Sequence, residues 1–231
     1  MIDGAREVIV RLRDHLGLVG FISGRGIHDL IDIVDIPGCA YAGNHGLELQ
    51  FPDRPARIAE AAQPWLAAIA NFADHWDEAL LAHTGLQIER KGATLSVHWR
   101  TAPDPDTAHA LLLERFLPEA HAQGLVVTWG RMVMEVRPPV ALNKGTAVTE
   151  LLRGGPWTRA VYVGDDTTDA DAWHALHALR DAGALATAVA IAATGTETPA
   201  ELRMAADAAV LGPPGVLELL IQLLDAITTG D

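Results

Sequence analysis

The apolar run Ala160–Val163 ends at Gly164-Asp165-Asp166-Thr167-Thr168-Asp169, and a helical pattern reaching Ala182 starts there. No other feature narrows the fold as much. A short run that is apolar at every position reads as a strand buried on both faces, as in a parallel sheet. Parallel neighbours need a crossover, usually a helix. The same succession occurs at Leu18–Ile22, closed by Ser23-Gly24-Arg25-Gly26 and followed by a helical Ile27–Val34. Further strands are expected from Tyr41, before Gly43-Asn44-His45-Gly46-Leu47-Glu48-Leu49, at Ala188–Ala192 and at Ala208–Leu211. Helical periodicity over 5–16, 146–152, 200–206 and 216–227 completes an α/β alternation.

Between Pro52-Asp53-Arg54-Pro55 and Pro138-Pro139 the texture changes. A long helical stretch is expected from about Arg57 to His83, with a break or kink at Pro64. Leu86–Arg90 and Thr94–Arg100 alternate as strands do, and Asp106–Ala122 is helical. Val126–Trp129 and Met132–Val136 read as a hairpin around Gly130-Arg131. The order α-β-β-α-β-β describes an antiparallel sheet with helices on one face. The sequence thus predicts an α/β chain with a parallel-sheet core at 1–53 and 139–231 and an inserted α+β module at 54–138. Trp65, Trp76, Trp99, Trp129 and Trp173 are expected to pack, as is Cys39.

Charge limits the partners. The 30 acidic against 17 basic residues leave a formal charge of −13. That argues against nucleic acid or an anionic membrane surface, though not against a small anion in a locally basic site. A single cysteine excludes a disulfide framework. No apolar run reaches the roughly 18 residues of a spanning helix, and no apolar signal segment opens the chain. The expectation is a soluble cytoplasmic protein. Of the 17 basic residues only Lys91 and Lys144 are lysine. A lysine kept in an arginine-rich chain hints at a need for its compact charge.

The candidate chemistry lies at strand ends, where ligands of open α/β sheets bind. Asp165, Asp166 and Asp169 repel one another unless a cation intervenes, and Mg²⁺ takes one or two carboxylates with phosphate and water. A polar turn with a helix N-cap accounts for the same residues. Lys144, in Asn143-Lys144-Gly145, suits a phosphate; it is equally a solvated residue before a helix. Ser23 reads as a phosphate-holding hydroxyl or an ordinary cap. In the inserted module, alternation puts His98 with Arg100, and Glu135 with Arg137, on shared sheet faces. His174 and His177 stand i, i+3 on a helix, a spacing commoner among exposed histidines than in metal sites.

Together these segments resemble the haloacid dehalogenase-like phosphatases, and among them the trehalose-6-phosphate phosphatases. The resemblance is carried by Phe21-Ile22-Ser23-Gly24-Arg25, Tyr41-Ala42-Gly43-Asn44-His45-Gly46-Leu47-Glu48, Glu89-Arg90-Lys91 and Val97-His98-Trp99-Arg100. Glu135-Val136-Arg137-Pro138, Asn143-Lys144-Gly145 and Tyr162-Val163-Gly164-Asp165-Asp166-Thr167-Thr168-Asp169 follow in the family's order. It implies Mg²⁺-dependent hydrolysis of trehalose 6-phosphate to trehalose and phosphate. Ser23 and Lys144 would hold the phosphoryl group. Asp165 would ligate Mg²⁺, with Asp166 or Asp169 ligating or standing behind it. Arg25, Asn44, His45, Glu48, Lys91, His98, Arg100 and Glu135 would grip the sugar phosphate, and 54–138 would be a cap. Nothing in the sequence speaks to a trehalose-phosphate synthase partner.

The family opens with a strand ending in Asp-x-Asp-Gly-Thr/Ser, whose first Asp attacks phosphorus and whose second is the acid/base. No such motif precedes Ser23; Ile2-Asp3-Gly4-Ala5 has no strand before it and no second aspartate. In the family that strand is the middle of the sheet, so its absence implies two half-sheets with unpaired backbone. Three explanations follow: an N-terminally truncated chain, inactive as given, which is the favoured one; a strand supplied by a partner; or a relative that binds sugar phosphate without catalysis. A phosphatase for another sugar phosphate is the remaining alternative.

Overall fold

The computed structural model describes residues 1–195 and 198–229. The chain divides into two compact units, 1–56 with 142–231, and 57–141. The expected bounds were 54 and 138.

In the first unit Gly20–Ile22 pairs in parallel with Ala40–Gly43, Gly20 opposite Ala40 and Ile22 opposite Ala42. Ala40–Gly43, buried at all four residues, pairs on its other edge with Glu48–Gln50, antiparallel. A second sheet has the order Ala208–Leu211, Thr187–Thr194, Arg159–Gly164, all parallel. Among the described residues no ladder joins Gly20–Ile22 to Arg159–Gly164.

Helices tie the two sheets together. The Lys144–Leu152 helix packs Ala147 and Leu151 against Ala40, Ala42 and Leu49. Its Val148 packs with Ala172, Leu176, Leu185 and Ala188, and Ile22 belongs to both clusters. The helices Ala5–His15 and Ile27–Val34 meet in another cluster, where Ile9 packs with Ile27, Leu30, Val34 and Tyr41. The final helix Gly212–Thr229 adds Leu220 there and also packs on Thr187–Thr194 and Ala208–Leu211.

The second unit has an antiparallel sheet in the order Gln87–Arg90, Leu95–His98, Val133–Arg137, Val126–Gly130. Ile88, Leu95, Val97, Met134 and Val136 pack against Ile69, Phe72, Leu112 and Phe116 from the helices and Trp76 from the connection after Asp74. Trp76 stacks on Phe116 at 3.6 Å. The expected long helix from Arg57 is broken twice. Pro64 lies in a 3-10 turn, Glu60–Trp65, so the α-helix starts only at Leu66. A new helix starts at Glu78, where the Asp77 carboxylate caps the Ala79 N–H at 3.1 Å. Trp129 departs from the packing expectation: it is 42% exposed, edge-on to Trp99 and His109. Among the described residues no helix is long and apolar enough to cross a membrane.

Candidate active site

The loops after Gly20–Ile22 and Ala40–Gly43 are laced together. The Asn44 N–H donates to the Arg25 carbonyl (2.7 Å) and the His45 N–H to the Ser23 carbonyl (2.9 Å). Asn44 and His45 take left-handed backbone, φ 48° and 57°. This turn lays the His45 ring over Gly24, where a Cβ would come within 2.5 Å of Nε2. Ser23 is half-buried and its Oγ accepts the Arg25 N–H at 3.2 Å; Arg25 is exposed.

Asn44 and Glu48 require a correction. Glu48 is 5% and Asn44 3% exposed. Glu48 Oε2 accepts from the Ile27 N–H (2.9 Å) and from Asn44 Nδ2 (2.8 Å). A carboxylate suits the positive end of a helix. As folded, the pair anchors the start of the Ile27 helix and shapes the loop that presents His45; it does not offer open groups to a sugar.

The Lys144 helix opens with a reciprocal cap: Asn143 Oδ1 accepts the Thr146 N–H, and Thr146 Oγ1 accepts the Asn143 N–H. It begins beside the His45 loop, since a Cβ at Gly46 would lie 3.1 Å from the Asn143 carbonyl oxygen. Lys144 is 7% exposed and its Nζ reaches Asp169 Oδ1 at 2.7 Å. Tyr162 Oη donates to the same oxygen at 2.7 Å. The Asp165 and Asp166 N–H groups donate to Oδ2 at 3.0 and 2.9 Å. An ionised carboxylate has about four acceptor sites, and Asp169 uses them on four donors. Of its two expected roles, direct ligand or support, the geometry is that of support. Burial first, and the Asp169 charge second, push the Tyr162 phenol far above its ordinary pKa, so it stays a donor.

Asp165 and Asp166 are exposed. Asp165 has no hydrogen bond to its carboxylate among the described residues; Asp166 accepts from the Thr167 N–H and hydroxyl and from Thr168 Oγ1. Burial alone would raise the Asp166 pKa, but the Thr167 and Thr168 hydrogen bonds and the Lys144 charge outweigh it and hold the group below the carboxylate norm. Among the described residues no three His, Cys, Asp or Glu side chains cluster into a metal cage. The turn presents two exposed carboxylates, Asp165 and Asp166, adjacent in the chain.

In the 57–141 unit, Lys91, His98 and Glu135 come together around Glu89. His98 Nε2 is 2.8 Å from Glu89 Oε2, and Lys91 Nζ stands 3.7 Å from both Glu89 and Glu135. Register puts Glu89, Ser96 and Glu135 in a row. Ser96, 1% exposed, has no hydrogen-bond partner at Oγ among the described residues. Arg100 departs from expectation: the strand ends at His98, and Arg100 bonds the Arg131 carbonyl at 3.2 Å. The His174/His177 pair does not converge on a ligand, because His177 Nε2 is 2.9 Å from Asp207, which also caps the Ala190 N–H. An open groove of about 450 Å³ beside the Lys144 helix is lined by Thr146, Arg153, Asp171 and His174, and not by Ser23, Lys144 or Asp165. Sequence reasoning assigned no role to Tyr162 or Glu89. Each lay inside a quoted segment, and the signal was alternation, which turns them toward Asp169 and His98.

A parallel α/β unit with Ser, Lys and Asp at its strand ends, plus an α+β insertion, defines the haloacid dehalogenase-like phosphatase fold. Solved structures agree. A trehalose-6-phosphate phosphatase related protein superposes with TM-score 0.74 at 19% identity, covering 100% of this chain and 90% of that one. The C-terminal domain of the Candida albicans trehalose-6-phosphate phosphatase superposes with TM-score 0.64 at 21% identity, covering 97% and 87%. The trehalose-phosphatase family profile matches residues 1–206. The chain belongs to the trehalose-phosphatase family. A trehalose-phosphate phosphatase of Mycobacterium marinum is 32% identical over 163 residues, 68% of this chain and 41% of the relative. An uncharacterized glycosyl hydrolase of Mycobacterium tuberculosis is 35% identical over 183 residues, 76% of this chain and 14% of the relative. The chain thus spans less than half the length of these curated relatives.

Proposed function

We propose that this chain is the phosphatase part of a cytoplasmic, Mg²⁺-dependent enzyme that hydrolyses trehalose 6-phosphate to trehalose and phosphate in trehalose biosynthesis. The observation that carries this is Lys144, buried and fixed by Asp169 at the strand end that presents Asp165 and, across the His45 loop, Ser23. Phosphoryl transfer needs positioning and charge neutralisation more than protein covalent chemistry. Lys144 and Ser23 hold the phosphoryl oxygens. Asp165, with Asp166, would hold Mg²⁺, which neutralises phosphate charge when bound. Arg25 and His45 in the first unit, and Lys91, His98 and Glu135 in the second, are the candidates for contacting the sugar.

The test is phosphate release from trehalose 6-phosphate by the full-length protein, with Mg²⁺ affinity read separately by calorimetry. Asp165→Asn lowers Mg²⁺ affinity at least tenfold, about 1.4 kcal/mol; unchanged affinity refutes the metal assignment. A substrate panel decides between trehalose 6-phosphate and other sugar phosphates.

A second reading, a sugar-phosphate binder without turnover, has its own observation. The carboxylates before Ser23 are Asp3, Glu7 and Asp14; Glu7 and Asp14 lie in the Ala5–His15 helix. None occupies a strand end where it faces a phosphate held by Lys144. Calorimetric binding of trehalose 6-phosphate with no phosphate released establishes this reading, and absence of binding removes it.

A further inference from the structure

Ser23 follows a strand of one sheet, and Lys144 is fixed by Asp169, which follows a strand of the other. Among the described residues no ladder joins the two sheets. The spacing of Ser23 and Lys144 therefore depends on contacts other than strand pairing. The turn at 43–48 supplies them.

On one side this turn grips the Ser23 loop. The His45 N–H donates to the Ser23 carbonyl and the Asn44 N–H to the Arg25 carbonyl. A Cβ on Gly43 would lie 2.6 Å from the Ile27 nitrogen, and one on Gly24 would lie 2.5 Å from His45 Nε2. Neither place admits a side chain. On the other side the turn abuts the Lys144 helix. A Cβ on Gly46 would meet the Ala147 Cβ at 3.0 Å and the Asn143 carbonyl oxygen at 3.1 Å. Asn143 and Ala147 flank Lys144 in the first turn of that helix.

Three consecutive residues of the turn are left-handed: Asn44 at φ 48°, His45 at 57° and Gly46 at 98°. Residues other than glycine take this conformation rarely, and it persists where the surroundings over-determine it. Glu48 is the pin. It is 5% exposed, and its Oε2 accepts both the Ile27 N–H, at 2.9 Å, and Asn44 Nδ2, at 2.8 Å. One buried oxygen thus ties the start of the helix after Ser23 to the residue whose N–H holds the Arg25 carbonyl. Removing either partner loosens the Ser23 side of the turn and leaves the Lys144–Asp169 bond in place.

We infer that Glu48 and Asn44 are positioning residues: they touch no ligand, and they set where Ser23 stands relative to Lys144. The inference rests on the reading that Ser23 and Lys144 hold the phosphoryl oxygens. A ligand held by donors on separate elements is sensitive to their spacing, and a misplacement of about 1 Å costs an enzyme roughly 100-fold.

The test is a ³¹P NMR titration of the protein with inorganic phosphate, with urea unfolding measured alongside. Asn44→Gly keeps the left-handed backbone at no steric cost and deletes the Nδ2 bond to Glu48. It weakens phosphate binding roughly tenfold. Glu48→Ala weakens it at least as much; where that variant fails to fold, Asn44→Gly carries the measurement. Glu48→Gln binds within about twofold of the parent, because one amide oxygen accepts both bonds. A merely structural role is separated by combining variants. In a chain that already carries Ser23→Ala, Asn44→Gly costs little further affinity, since residues that act through one another are not additive.

Four results overturn the inference. Binding equal to the parent's in Asn44→Gly, while Ser23→Ala and Lys144→Ala weaken it, removes the positioning role and leaves the phosphate site standing. Losses that add in the double variant show a general structural cost. Weak binding by Glu48→Gln shows that the charge matters and not the two bonds. No phosphate binding by the parent, or binding unchanged in both Ser23→Ala and Lys144→Ala, removes the phosphate site itself and the inference with it.

Discussion

The chain's two lysines stand under opposite rules, one in each unit. Lys144 lies 2.7 Å from one carboxylate, with side-chain exposures of 9% and 4% for the pair. Lys91 stands 3.7 Å from each of two carboxylates whose side chains are 42% and 33% exposed. The first cation is committed before any ligand arrives. Its carboxylate is held in turn by a phenol and two backbone amides, so the geometry is rigid and depends on every member. The second cation, its side chain 13% exposed, sits among carboxylates that solvent reaches. The difference separates a charge fixed in a buried network from one set among carboxylates that solvent reaches.

Removing the cation tests this most strongly. Lys144→Ala leaves the Asp169 carboxyl group buried and one donor short, and breaking a buried pair in this way costs roughly 3–5 kcal/mol. Lys91→Ala leaves two carboxylates that water still reaches, and costs about 1 kcal/mol or less. Urea unfolding of both variants measures the contrast. Equal losses would break the comparison.

Tyr162 gives the next largest effect, visible in pH. Its folded-state pKa lies above the unfolded value of about 10, through burial and then the Asp169 charge. The folded chain keeps the phenolic proton where the unfolded chain loses it. The contribution is therefore full below about pH 10 and is lost as pH rises above it, at about 1.4 kcal/mol per unit. Tyr162→Phe costs about 1 kcal/mol at neutral pH for the lost hydrogen bond. It also flattens the alkaline decline. A Tyr162→Phe variant that falls as steeply as the parent above pH 10 would show that another group controls that limb.

Much of the fold was legible because its signals are local. Ala160–Val163 and the Gly164–Asp169 turn declare a buried strand and a helix start with no knowledge of distant residues. The segment 60–77 was less legible. The Pro64 disruption was readable, but the Asp77 restart depends on a cap whose value shows only once the helix axis has turned. The site divides in the same way. Lys144 opens a helix and Asp165 and Asp166 follow a strand end, the places in the fold that the motif spacing implied. Glu48 was read as an outward group, because the sequence shows that a carboxylate is present but not which donors the fold aims at it; for Asp169, read as ligand or support, the four donors around it choose support. Arg100 failed for a related reason: alternation holds only while the strand continues, and the strand stops at His98.

The smallest effect carries the opposite sign. Ser96 lies between Glu89 and Glu135 on the Lys91 face, buried, with an Oγ that finds no partner among the described residues. An unsatisfied buried hydroxyl is a liability. Ser96→Ala removes it without opening much space, so the variant unfolds at the same urea concentration as the parent or slightly above it, a gain of up to about 1 kcal/mol. In the Lys144 network the equivalent deletion, Tyr162→Phe, is a loss, because that hydroxyl is used. If Ser96→Ala is instead destabilising by more than about 1 kcal/mol, the Lys91 face is as tightly bonded as the Asp169 network, and the contrast between the two lysines fails. If the variant keeps its stability but binds trehalose 6-phosphate more weakly, the hydroxyl's partner is the sugar, and the recognising role of that face is sharpened to one atom.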